Sequence, residues 1–307
     1  VAIDADGKYV IVDKGNHRVQ LCERGVPGCT TIAGAGGQGS RGDQFNSPEG
    51  VATDADGNLV VADTGNHRVQ SCERGVQDCK TSAGAGGMGS GPSQLYWPAA
   101  VALDASGKLV IADTSNHRIQ LCEPGFQQCT TVAGAGGMGA NPDQLYWPTG
   151  VAIDADGKYV IVDKGNHRVQ LCERGVPGCT TIAGAGGQGS RGDQFNSPEG
   201  VATDADGNLV VADTGNHRVQ SCERGVQDCK TSAGAGGMGS GPSQLYWPAA
   251  VALDASGKLV IADTSNHRIQ LCEPGFQQCT TVAGAGGMGA NPDQLYWPTG
   301  VAIDADG

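Results

Sequence analysis

The amino-acid sequence predicts an all-β protein, a six-bladed β-propeller, and three observations carry that prediction. The 307 residues divide into six units of 50 with seven left over, and residues 1–150 and 151–300 are identical. A period of 20–50 residues marks a solenoid, a propeller or an array. Each unit reads as four short β-rich segments followed by a long connector, the content of one four-stranded antiparallel blade. No segment carries the 3.6-residue periodicity of an amphipathic helix.

Within the first unit, Val1-Ala2-Ile3-Asp4 is short and β-branched and makes the first strand. Residues 4–7 are turn chemistry, with Gly7 where a positive φ is cheap. Residues 8–13 form the second strand, and Lys14-Gly15-Asn16 turns the chain again. In the third strand, 17–23, His17, Val19 and Leu21 face one way and Arg18, Gln20 and Cys22 the other. A turn rich in Gly and Pro, 23–28, leads to a fourth strand, 29–33, and residues 34–50 read as the connector. Units 1–50, 51–100, 101–150, 151–200, 201–250 and 251–300 are the blades of one domain, built as two identical three-blade halves. Residues 301–307 are a surplus copy of the first strand. Six blades need six innermost strands and the chain offers seven, so either 1–4 or 301–304 closes the ring. Three blades cannot close a ring, so a 150-residue half is expected to be unstable alone or to dimerise.

Composition narrows the function. Glycine contributes 51 residues, aromatics 5% and apolar residues 38%, which suits thin layers of small β-branched side chains rather than one large core. The longest apolar runs, such as Tyr9-Val10-Ile11-Val12, are far too short to span a bilayer. The first residues read as the interior of a repeat, with no leader, as expected of a segment. The net charge of −12 is spread over all the units, which argues against nucleic acid or an anionic membrane as partner, since both need clustered Lys and Arg. Identity over 150 residues without drift fits an engineered tandem, or else a very recent duplication; the first is the expectation.

The segment Gly57-Asn58-Leu59-Val60-Val61-Ala62-Asp63-Thr64-Gly65-Asn66-His67-Arg68-Val69-Gln70 resembles the NHL repeat, in which Asn-His-Arg follows an Asp-ended strand. The Pro148-Thr149-Gly150-Val151-Ala152 stretch fits as well, and all six units match. Arg18 and its counterparts, where the family usually has Leu, are a common variant. The resemblance implies strands ordered from channel to rim. Topology then puts the turns 4–7 and 23–28 on one face, and the turn 14–17 with the Gly-rich connector on the other, the connector face. Propellers of this family tend to bind ligands there.

Asp13, Asn16, His17 and Arg18 recur in every unit. One reading is a metal-binding ring of His17, His67, His117, His167, His217 and His267 at a channel mouth. The resemblance extends to the peptidyl-hydroxyglycine amidating lyases, NHL-like propellers with histidine zinc ligands near such turns. Those enzymes use selected blades, plus a catalytic Arg and Tyr, whereas here His occurs once per unit. The favoured reading is structural: Asp13 accepts turn amides and pairs with Arg18, and Asn16 takes the left-handed position. Asp4-x-Asp6-Gly7 lacks the later ligands of a calcium loop and reads as a hairpin turn. Gly34-Ala35-Gly36-Gly37-Gln38-Gly39 fits GxGxxG but no helix pattern follows it. Arg41-Gly42-Asp43 is an adhesion tripeptide on a connector, present in only one unit of each half.

The twelve cysteines form six pairs, Cys22-Cys29, Cys72-Cys79, Cys122-Cys129, Cys172-Cys179, Cys222-Cys229 and Cys272-Cys279. If each pair ends one strand and opens the next, its members face each other across a hairpin within disulfide reach. Six intra-blade disulfides are expected, with free thiols the alternative; natural disulfides would place the protein outside the cell or in another oxidising compartment. Tyr96, Trp97, Tyr146, Trp147, Tyr246, Trp247, Tyr296 and Trp297 stand just before the first strands, where units one and four have Asn-Ser. They either line a binding surface on the connector face or wedge between blades. The expectation is a non-enzymatic scaffold without cofactor, monomeric as a full ring, binding a protein, peptide or small ligand on its connector face. A lyase-like metal site in the channel is the alternative.

Overall fold

The computed structural model describes residues 8–123, 128–273 and 278–303, and so excludes the N-terminal copy, 1–7. The sheets are six antiparallel four-stranded blades. Blade four is representative: Pro148–Ile153, Tyr159–Asp163, Arg168–Cys172 and Cys179–Ala183, from channel to rim.

Both faces of every blade are covered by a neighbour, and this explains the continuous apolar second strands. In Lys8–Asp13, Tyr9 and Ile11 point into a cluster with Val260, Ala262 and Ile269 of blade six. Val10 and Val12 point the other way, into a cluster with Val51, Leu59 and Val61 of blade two. Six such inter-blade layers make up the core, and fully burying a Val, Leu or Ile side chain contributes about 1.5–3 kcal/mol. Phe45, Leu95 and Leu145, from the connectors, are fully buried within these layers.

The C-terminal copy occupies the innermost position of blade one. Pro298–Ile303 pairs antiparallel with Lys8–Asp13, in the register Tyr9↔Ile303, Val10↔Ala302 and Ile11↔Val301. Blade one is therefore assembled from both ends of the chain.

All six cysteine pairs are disulfides. Cys22 and Cys29 are directly opposed in the ladder between Arg18–Glu23 and Cys29–Ala33, with Cα atoms 4.4 Å apart. The other five, Cys72–Cys79, Cys122–Cys129, Cys172–Cys179, Cys222–Cys229 and Cys272–Cys279, have the same geometry, and each ties a rim strand to its neighbour.

Candidate functional site

The turn between the second and third strands is a short 3-10 segment, Lys14–Asn16, which ends at His17 with φ 56°. The left-handed residue is thus His17, not Asn16, because the 3-10 turn consumes Asn16 as its last residue. The same correction holds for all six units. Asn16 instead donates from Nδ2 to Asp13 Oδ2 at 2.8 Å and to the carbonyl of Gly289 at 2.7 Å.

Asp13 does pair with Arg18, whose Nε lies 2.7 Å from Oδ2. Its other oxygen accepts no amide from its own turn. It accepts the backbone N–H of Tyr296, 2.7 Å away in the connector arriving from blade six. The unit's Asp and Asn thus hold the preceding blade's connector, and in blades two, three, five and six the Arg does so as well. In blade two, Asp63 takes the amide of Asn46, Asn66 donates to Gly39, and Arg68 donates to the carbonyls of Arg41 and Gln44. The connector is also tied to the rim, where Cys79 N–H donates to the Gly42 carbonyl at 3.0 Å.

The histidine holds the connector that leaves its own blade. His17 Nδ1 accepts the N–H of Ser47 at 3.0 Å, and His67 Nδ1 that of Trp97 at 3.2 Å. His117, His167, His217 and His267 do likewise with Trp147, Ser197, Trp247 and Trp297. An accepting Nδ1 fixes the neutral tautomer with its proton on Nε2. Burial pushes all six imidazoles below the ordinary value, and nearby aspartates oppose the shift at each. Burial pushes the carboxyls of Asp63, Asp113, Asp163 and Asp263 up, against their amide, Asn and Arg donors. Among the described residues, no three His, Cys, Asp or Glu side chains converge as metal ligands.

Held between these two clamps, the connector's last residue is left-handed: Ser47 has φ 47°, Trp97 52°, Trp147 51°. A bulky residue there is an outlier, and such strain costs about 1–3 kcal/mol. The Trp side chains are not buried in return. Trp97 is 46% exposed and Trp147 52%, with Tyr96 and Tyr146 at 37% and 38%. Phe45, Leu95 and Leu145 do the wedging between blades, which leaves the Tyr and Trp beside them at the surface. Tyr296 lies over the next blade's turn, where a Cβ on Gly15 would come within 2.5 Å of its ring. Tyr96 stands edge-on to His67, ring centres 5.5 Å apart.

These tryptophans line the connector-face mouth of the central channel, a cavity of about 1620 Å³ walled by the Val, Ala and Thr residues of the inner strands. Trp247 and Trp297 occupy the twin positions. Between the aromatic sectors the mouth carries two ion pairs, Lys14–Glu49 and Lys164–Glu199, each 2.6 Å.

Other motifs are absorbed by local structure. Arg41 Nε and Nη2 donate to the two carboxylate oxygens of Asp43, at 3.1 and 3.2 Å, so the adhesion-like tripeptide is paired with itself. In Asp54-x-Asp56-Gly57, Asp54 Oδ1 accepts the amides of Asp56 and Asn58, as in a plain Asx turn. The Gly-rich segment folds back on its own connector, with Gly36 N–H on the Asp43 carbonyl at 2.8 Å.

Six four-stranded blades, the first completed by the C-terminal strand, define a closed propeller. The family model described as "NHL repeat" matches residues 45–71, 95–120, 145–170, 195–221 and 245–270. The chain is an NHL-repeat β-propeller. Each match runs from the connector into the third strand; the sixth such frame is split between 295–303 and the residues from 8 onward. No curated protein matches the sequence. Among solved structures, a chain of "Crystal structure of Nidogen/Laminin Complex" has the same fold, with TM-score 0.68 and 15% identity over 96% of this chain and 97% of that one.

Proposed function

We propose that this chain is a non-enzymatic NHL-type scaffold that binds a protein or peptide on its connector face, at the Tyr- and Trp-lined mouth of the channel. The observation that supports the reading is the placement of Trp97, Trp147, Trp247 and Trp297. Each occupies a left-handed backbone position where Ser47 and Ser197 serve the fold equally well, and each leaves about half its surface in water. Strained, exposed aromatics that the fold does not need are the mark of a binding surface. The structural neighbour's title names a protein complex, in keeping with this reading. On it the ring is a monomer, neither nucleic acid nor membrane is a partner, and the doubled sequence comes from engineering or very recent duplication.

A displayed random-peptide library selected on the full chain, with a variant carrying Trp97→Ser, Trp147→Ser, Trp247→Ser and Trp297→Ser as counter-target, tests the site. Enriched peptides should bind the parent and not the variant. Peptides that bind both equally would move the site elsewhere. Stoichiometric zinc retained after dialysis would overturn the non-enzymatic assignment in favour of a metal-dependent lyase.

A further inference from the structure

The aromatic mouth is not one continuous ring. Its exposed side chains fall into two identical arcs, and the composition of an arc restricts what it can bind. One arc comprises Met88, Tyr96 and Trp97 with Met138, Tyr146 and Trp147, on consecutive connectors; the other is its copy 150 residues on. Between them lie the connectors with Gln38, Asn46 and Ser47 in those places, where Gln38 Nε2 bonds Asn46 Oδ1 at 3.1 Å beside the Lys14–Glu49 pair. A ligand on the channel axis would meet both aromatic and polar sectors. One lying along an arc meets aromatics alone.

Two properties of the arc point to its ligand. It is nearly uncharged: connector 84–97 has no side chain charged at neutral pH and 134–147 only Asp143. It offers donors, because the indole N–H of Trp97 and Trp147 and the phenol O–H of Tyr96 and Tyr146 donate to no other described residue. A polyproline II helix leaves all its carbonyls unpaired, and a proline segment has no N–H to satisfy. Uncharged and acceptor-rich, it complements the arc on both counts.

We infer that each arc binds a proline-rich segment in the polyproline II conformation, two per ring. The inference rests on the connector-face reading above. All four tryptophans of the chain lie in the arcs, so intrinsic tryptophan fluorescence reports on nothing else. Acetyl-decaproline-amide is titrated into the full chain, followed by fluorescence and calorimetry. Saturation at two equivalents is expected, insensitive to salt, with no response to a Gly-Ser peptide of equal length. Trp97→Ser with Trp147→Ser should remove one equivalent and leave the affinity of the other arc unchanged. Tyr96→Phe with Tyr146→Phe should weaken that arc about five-fold per lost hydrogen bond. Ser is tolerated at these positions, as Ser47 and Ser197 show, and an unchanged melting temperature confirms folding. No response at millimolar peptide, an equal response to the Gly-Ser peptide, or saturation at one equivalent overturns the inference. Library-selected peptides that lack proline yet depend on the tryptophans would end it while leaving the proposed function standing.

Discussion

Replacing Asp113 by Asn tests whether the inter-blade strap holds the ring together. Asp113 is fully buried and accepts three hydrogen bonds: from the Tyr96 amide at 2.7 Å, Asn116 Nδ2 at 2.9 Å and Arg118 Nε at 2.7 Å. Asn keeps an oxygen for the Tyr96 amide, but its NH₂ would face two donors. Hydrogen bonds to a charged group contribute about 1.5–3 kcal/mol each, and breaking a buried ion pair costs about 3–5 kcal/mol. Two features place the cost near the lower end. Arg118 keeps the Ser90 carbonyl at 2.8 Å, and burial already pushes the Asp113 carboxyl up, so neutralising it recovers part of the desolvation. Asp113→Asn should therefore destabilise by about 3 kcal/mol in urea unfolding. Asp143→Asn, an exposed control, should stay within about 0.5 kcal/mol. Combining Asp113→Asn with Arg118→Met should cost less than the sum of the two, because the pair is coupled. Equal effects from Asp113→Asn and Asp143→Asn, or strict additivity with Arg118→Met, would refute the strap.

Ala302→Pro, which removes a ladder N–H opposite Val10, should lower the melting temperature as much as Ala152→Pro does; a silent Ala302→Pro would mean that residues 1–4 close the ring instead. Each disulfide closes a loop of about eight residues, a chain-entropy effect of about 2.5 kcal/mol, so Cys122→Ser with Cys129→Ser should destabilise measurably. Native protein should take up no alkylating reagent before reduction and twelve equivalents after it, and uptake by unreduced protein would contradict the pairing. The six histidines sit below their unfolded value, so the unfolded chain binds more protons as pH falls through about 6.5. Their stabilisation is complete above that pH and is lost as pH drops through the folded values; the raised carboxyls contribute with the opposite sign at lower pH. Melting temperature should fall between pH 7.5 and 5.5 at constant ionic strength, and a flat or rising profile would contradict the Nδ1 assignment.

Much of the fold was legible because each repeat states it locally. The two-sided apolar run Tyr9-Val10-Ile11-Val12, the Cys22 and Cys29 spacing and the Gly-bearing turns are short-range signals, and six copies reinforce one another. The candidate aromatics were legible too, as large side chains at positions where other repeats have Asn-Ser. What stayed hidden is held by partners from another blade. Asp13 bonds an amide 283 residues away in sequence, and no local pattern tells that from a turn contact. Propensity puts the left-handed residue at Asn16, but the strap needs Asn16 as a donor and shifts the positive φ to His17. The positive φ of Trp97 could not be read at all, since bulky residues rarely adopt it.

The carboxylate of each repeat divides its two oxygens, one serving its own blade and the other its neighbour's connector. Any open arc of blades must therefore have a boundary blade whose second oxygen has lost its amide and whose apolar face has lost its neighbour. That boundary penalty is the same whether three, four or five blades are present, and it vanishes only on closure. The ring should thus behave as a single cooperative unit, with partly assembled arcs sparsely populated however stable each blade is within it.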